Sequence, residues 1–132
     1  MSVGGVQRDP ATAEFFDGTA AGLFLLRECT SGHASEPAAA ACTTCGSTGL
    51  RWRPASGGAT LVSWAVSYGR PSGGEPAPRT VLVIGQLDEG PWWWAQLADA
   101  DPEQALAAGQ RLRVEFRRHS EQDEAVPVFV LA

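Results

Sequence analysis

The groups able to do chemistry in this chain are few. Two of its three cysteines stand as Cys42-Thr-Thr-Cys45, and the third is Cys29. In a reducing compartment, two cysteines at that spacing read as a metal knuckle or a redox pair before they read as a disulfide. No βαβ pattern surrounds them, which weighs against the redox reading. There are two histidines, His33 and His119, and a carboxylate pair, Asp88-Glu89. That pair precedes Gly90-Pro91, a context that suits turn formation better than acid–base work. The sequence contains no nucleophile elbow, Walker loop or G-x-G-x-x-G motif. A small independent hydrolase or thioesterase is therefore disfavoured, because it needs an activated nucleophile and a base.

Binding groups are more prominent than reactive ones. In Trp92-Trp93-Trp94 the two-residue period of a strand forces at least one indole onto the face opposite the core. If Trp93, Ala95 and Leu97 face inward, Trp92 and Trp94 point outward and are candidate anchors for a partner, since tryptophan is enriched in binding hot spots. The alternative is that a loop or a helix of the same chain covers them.

These groups must be held by short elements. Asp9-Pro10 has the form of a helix start, and a helix over about residues 10–20 is expected. It is short, and Phe15 and Phe16 cannot share one narrow face, so it needs a surface to dock on, and a partner is one source of it. On that ground Phe15 and Phe16 join the candidate interface. Residues 23–26 read as a strand leading to Cys29. From there to about Gly49 the chain is small residues and turn formers, unable to build a core of its own. Strand patterns begin at Leu50. In residues 59–68, Val62, Trp64, Val66 and Tyr68 share a bulky face that is expected to be buried. Residues 80–87 suit a central strand and 92–97 another. Asp101-Pro102 begins a helical turn to about Ala107, closed by Gly109. Residues 111–116 alternate, with Leu112, Val114 and Phe116 inward, and 126–131 form the last strand. Five or six short strands in about 80 residues fit a five-stranded Greek-key barrel of the OB type, with an SH3-like barrel or a sandwich fitting nearly as well.

Composition narrows the function classes. Apolar residues make up 44% and charged residues 19% of the 132 residues, which excludes disorder throughout. Fifteen glycines and nine prolines favour turns and strands over a helical bundle. The net charge is −5 and every basic residue is arginine, so a nucleic-acid-binding zinc-ribbon and OB module lacks the phosphate-neutralising charge it needs. Residues 1–10 do not read as a signal peptide and no apolar run reaches membrane-spanning length, so a soluble cytoplasmic protein is expected.

An ordered set of short motifs resembles a known family. It comprises Phe16-Asp17-Gly18 with Gly22, Cys29, Cys42-Thr-Thr-Cys45-Gly46-Ser47, Leu50 and Trp52, and Ser56-Gly57 with residues 60–64. It continues through residues 87–91, Leu97 with Asp99, Asp101-Pro102, Gly109 and Val126-Pro127-Val128-Phe129. Over about residues 15–130 this set is similar to the zinc-ribbon and OB-fold acyl-CoA-associated proteins, domain of unknown function 35. The resemblance implies a mainly β fold: an N-terminal segment with a docking helix (1–22), a rubredoxin-like zinc ribbon (23–49) and a C-terminal OB-fold barrel (50–132).

It also implies a structural Zn2+. Where the family usually carries its second cysteine, this chain has Gly32, and the nearest ligand is His33. The expected set is then Cys29, His33, Cys42 and Cys45, a Cys3His site that leaves no open position for a catalytic water; the alternative is a ribbon that has lost its metal and is held by packing, with His33 an ordinary loop histidine. The resemblance further implies a non-catalytic accessory subunit in a hetero-oligomer with a thiolase-superfamily protein or a lipid-transfer-type (steroid side-chain) aldolase. Acyl-CoA would be bound jointly with that partner. The row Arg111, Arg113 and Arg117 is then either a grip on coenzyme A phosphates or a solvated strand face interleaved with Glu115.

Overall fold

The computed structural model describes residues 5–71, 73–101 and 103–132. The one helix among them, α1 (Ala13–Ala20), starts three residues later than Asp9-Pro10 suggests. The Asp9 carboxylate accepts from the Thr12 backbone N–H at 2.9 Å and the Thr12 hydroxyl at 3.0 Å, closing a turn ahead of the helix. Pro10 sits in that turn rather than in the first helical turn.

The surface under α1 belongs to its own chain, so Phe15 and Phe16 are corrected from partner anchors to core residues. They are 7% and 8% exposed. Phe15 stacks edge-on against Phe24 at 5.8 Å and lies 6.1 Å from Trp93. A glycine permits this approach: a Cβ on Gly18 would lie 2.6 Å from the Leu25 side chain. Arg8 ties the entry to the helix, reaching Asp17 at 2.6 Å and Glu124 at 2.7 Å.

Strands β1 (Leu25–Glu28), β2 (Ala34–Ser35) and β3 (Arg51–Pro54) form an antiparallel sheet in the order β2-β1-β3. Residues 51–54 thus belong to the ribbon sheet, and the barrel begins at Gly58 rather than at residue 50. The barrel strands are β4 (Gly58–Tyr68), β5 (Arg79–Leu87), β6 (Trp92–Gln96), β7 (Arg111–Arg117) and β8 (Val126–Leu131), in the order β6-β5-β4-β7-β8. A parallel bridge between Leu97 and Phe129 brings the two edges together, with the Ala98 N–H donating to the Phe129 carbonyl at 2.7 Å. That near-closure selects the OB barrel over a sandwich, whose two sheets would stay separate.

Leu61, Leu87, Leu112, Val83 and Phe129 fill the barrel, each less than 2% exposed. Phe129 lies against bare backbone, since a Cβ on Gly85 would fall 2.7 Å from its ring. The same core takes in Phe15, Phe16, Phe24 and Leu26, so helix, ribbon and barrel share one interior.

The reading of residues 59–68 needs correction. Ala59 and Leu61 are the buried residues of β4, while Trp64 and Val66 are each 40% exposed and Tyr68 is 67% exposed. A bulge between Leu61 and Ser63 resets the alternation, so that Trp64 pairs with Val83 and Val66 with Val81. Both therefore lie on the inward side of the sheet, but eleven-residue β4 runs past the barrel body and leaves them uncovered. A second correction concerns Asp101. Its side chain accepts from the Glu103 N–H at 2.9 Å and its carbonyl from Gln104, giving a single turn with no helix after it. Pro102 lies outside the described residues. No helix among the described residues is long and apolar enough to cross a membrane.

Candidate metal centre and docking face

The segment between β1 and β3 has no periodic apolar stripe, yet it folds into two facing turns. In the first, the Gly32 N–H donates to the Cys29 carbonyl at 2.9 Å and the Cys29 N–H to the His33 carbonyl at 3.0 Å. In the second, the Gly46 N–H donates to the Cys42 carbonyl and the Cys42 N–H to the Ser47 carbonyl, both at 2.8 Å. Gly32 and Gly46 hold φ of +85° and +76°, the left-handed region that closes each turn. The turns differ by one position. In the second the glycine follows the last ligand; in the first it precedes it, and the longer reach of an imidazole covers the extra residue.

The result is a cluster in which the ligand atoms of Cys29, His33, Cys42 and Cys45 all lie within 4.8 Å of one another. Cys29 Sγ and Cys45 Sγ are 3.8 Å apart, and Cys29 Sγ is 3.4 Å from His33 Nδ1. Two thiolates at about 2.3 Å from a tetrahedral ion stand about 3.8 Å apart, so the four groups are positioned to hold a metal. The thiolate form is favoured at Cys42. The Cys45 backbone N–H above all, opposed by burial and aided by the Thr44 N–H, draws its pKa down to about 6. Cys45 moves up: the Ser47 backbone N–H favours its thiolate, but sharing a proton with Cys42, burial and the neighbouring Cys29 outweigh it. Ser35, 1% exposed on β2, accepts from the Thr43 N–H at 3.2 Å and fixes the second turn to the ribbon sheet. Three thiolates and one imidazole suit Zn2+, and four protein ligands make such a site structural rather than catalytic.

The other predicted groups separate into used and exposed. Arg111 binds Asp88 with two bonds of 2.9 Å, Arg113 binds Glu115 at 2.7 Å, and Arg117 bridges Glu115 and Asp99. The row is thus an ion-pair ladder rather than a set of free cations for phosphate. Arg111 holds the Asp88 carboxyl below its ordinary range, and Arg113 with Arg117 does the same to Glu115. Glu89 accepts from the Ser56 N–H at 2.8 Å, so both members of the carboxylate pair stabilise loops. Trp93 packs edge-on against Phe24 at 5.1 Å, whereas Trp92 and Trp94 are 52% and 73% exposed.

Sequence reasoning missed the companions of those two indoles. Leu82 on β5 is exposed on the same outer face, while Trp64, Val66 and Tyr68 on β4 are exposed on the opposite side of the sheet. A hollow of about 270 Å3 lined by Trp64, Leu82, Ile84 and Trp94 joins the three strands. The signal was length: an eleven-residue strand beside neighbours of nine and seven must project.

Known proteins share this architecture. The family described as the C-terminal OB-fold domain of ChsH2 matches residues 52–117. A DUF35 domain-containing scaffold protein of Pyrococcus furiosus is 33% identical over 97 residues, covering 74% of this chain and 71% of its own. Among solved structures, the Ltp2-ChsH2(DUF35) aldolase superposes with a TM-score of 0.75 at 18% identity, covering 94% of this chain and 96% of the matched one. A DUF35 protein of unknown function from Sulfolobus solfataricus superposes with a TM-score of 0.60 at 14% identity, covering 93% and 86%.

Proposed function

This chain belongs to the DUF35 OB-fold family, and from that premise we propose that it is a non-catalytic accessory subunit of a thiolase-superfamily or lipid-transfer-type aldolase. The observation that carries the reading is the apolar outer face of Leu82, Trp92 and Trp94 on two adjacent strands, with Trp64, Val66 and Tyr68 exposed on the reverse side where β4 overhangs. So much exposed aromatic surface on a small protein marks a site of association. The identity of the partner rests on the relatives: one is described as a scaffold protein, and another was solved with an aldolase. The partner carries the chemistry and the acyl-CoA substrate, and this chain braces it in the cytoplasm.

The ribbon metal is Zn2+ in this reading. It holds residues 29–47 in the shape that flanks the docking face: Glu36 and Thr43 of the ribbon share a hollow with Trp92 and Trp94. Arg111, Arg113 and Arg117 are each held by a carboxylate of this chain, which leaves them poorly placed to grip coenzyme A phosphates.

Co-expression with a thiolase-superfamily aldolase from the same source tests the assignment. One co-eluting species is expected, with the aldolase less stable or less active when prepared alone. Two separate peaks, with the aldolase fully active by itself, would contradict it.

A further inference from the structure

A cavity of about 740 Å3 opens where α1, the ribbon sheet and the barrel meet. That volume is typical of small-molecule sites. Its walls are largely apolar, built from Phe15 and Phe16 of α1, Trp52 of β3, Trp93 of β6, Ala39 and Pro127. Set among them is Arg27 of β1, half-buried, with its guanidinium carbon 4.3 Å above the centre of the Trp52 ring.

Arg27 differs from the arginines beside it. Arg51 and Arg53, on the neighbouring strand, both pair with Glu28. Arg27 forms no ion pair among the described residues, and its Nε is buried without a hydrogen-bond partner. The indole Nε1 of Trp93, from the same cavity wall, is also buried and unpartnered. A half-buried cation lacking an acceptor is costly, because it has given up water for nothing of equal strength. Stacking on Trp52 occupies the face of the guanidinium and leaves its edge, the side that grips a carboxylate through two N–H groups, to be filled. The acidic residue of the lining, Glu14, is exposed and forms no ion pair with Arg27.

We propose that this cavity binds a small amphipathic carboxylate, its apolar body against Phe15, Trp52 and Trp93 and its carboxylate on the edge of Arg27. The site lies within this chain alone, and Trp94 at its wall is the lining residue it shares with the docking face assigned above.

Three eight-carbon probes that differ only in the head group test it: octanoate, octan-1-ol and octylammonium, titrated calorimetrically into the full chain with its metal bound. Octanoate is expected to bind at least tenfold more tightly than octanol, and octylammonium most weakly. Arg27→Gln should erase the preference for octanoate while leaving octanol binding in place, which also reports that the cavity is intact. Ala39→Trp should block both. Equal affinity for octanoate and octanol in the unmodified protein would overturn the proposal, whether or not the variants fold. So would an octanoate preference that survives Arg27→Gln, or no octanoate binding at millimolar concentration.

Discussion

The ribbon and the barrel solve the same problem by opposite means. The barrel places Leu61, Leu87, Leu112 and Phe129 in an interior closed to water, and each side chain so buried contributes roughly 1.5–3 kcal/mol. The ribbon turns, from Cys29 to Ser47, gather four ligand atoms where the barrel gathers leucines. Cys29 and Cys42 are buried there, but Cys45 and most of the intervening residues are exposed. A stretch of chain without an apolar stripe can still be ordered when coordination replaces burial, and its order then depends on solution chemistry as the barrel's does not.

The largest effect should come from the barrel. Phe129→Ala removes the most central ring and is expected to cost about 3–5 kcal/mol, read as a lowered midpoint in urea. Metal content per folded molecule should not change. If the variant instead lost its metal before unfolding, the two regions would not be distinct.

Cys42→Ser probes the other side of the comparison. It should abolish stoichiometric zinc, expected at about one per chain by elemental analysis, and remove hydrogen-exchange protection from residues 29–47. Amides of β4, β5 and β7 should keep theirs. Loss of protection throughout would mean that the ribbon metal supports the shared core as well.

The docking face should respond in neither of these ways. Trp92→Ser with Trp94→Ser should weaken partner binding about 30-fold, roughly 2 kcal/mol, while changing the stability of the isolated chain by less than about 0.5 kcal/mol. Unfolding of the double variant would reassign both indoles to the core.

Acid should act last and least. Glu28, Asp88, Glu115 and Glu124 are all held below the ordinary carboxylate range, Glu28 chiefly by Arg51, Asp88 by Arg111, Glu115 by Arg113 and Glu124 by Arg8. A carboxylate lowered in this way stabilises the fold above its unfolded value, near pH 4–4.5, and loses that contribution as pH falls through its folded value. The contribution of these four carboxylates to stability, read as melting temperature, should therefore stay level from about pH 7 to 5 and fall below about pH 4. Arg8→Gln should remove the part of the acid fall that belongs to Glu124.

What the sequence made legible follows the same division. The strands after residue 57 could be read because alternation in residues such as Leu112, Val114 and Phe116 reports directly which side is buried. The ligand set was readable because cysteine and histidine spacing constrains a turn. Three features were hidden for identifiable reasons. The bulge after Leu61 leaves no residue-type signature, so the inward face of β4 was assigned without its change of parity. Phe15 and Phe16 looked surplus because the surface they cover comes from Phe24, beyond the helix, and from Trp93, far along the chain. The ion pairs of Arg111 and Arg117 were hidden because Asp88 and Asp99 lie on other segments, whereas Glu115, the partner of Arg113, stands on the same strand.

Oxidative footprinting of Trp92 and Trp94, in the isolated chain and with a thiolase-superfamily aldolase present, tests the central claim most directly. If the outer face of β5 and β6 is where this protein meets its partner, oxidation of both indoles should drop severalfold on addition of the aldolase, while that of partly buried Trp52 should stay level. A complex that forms with both indoles still oxidised at their free rates would contradict the account.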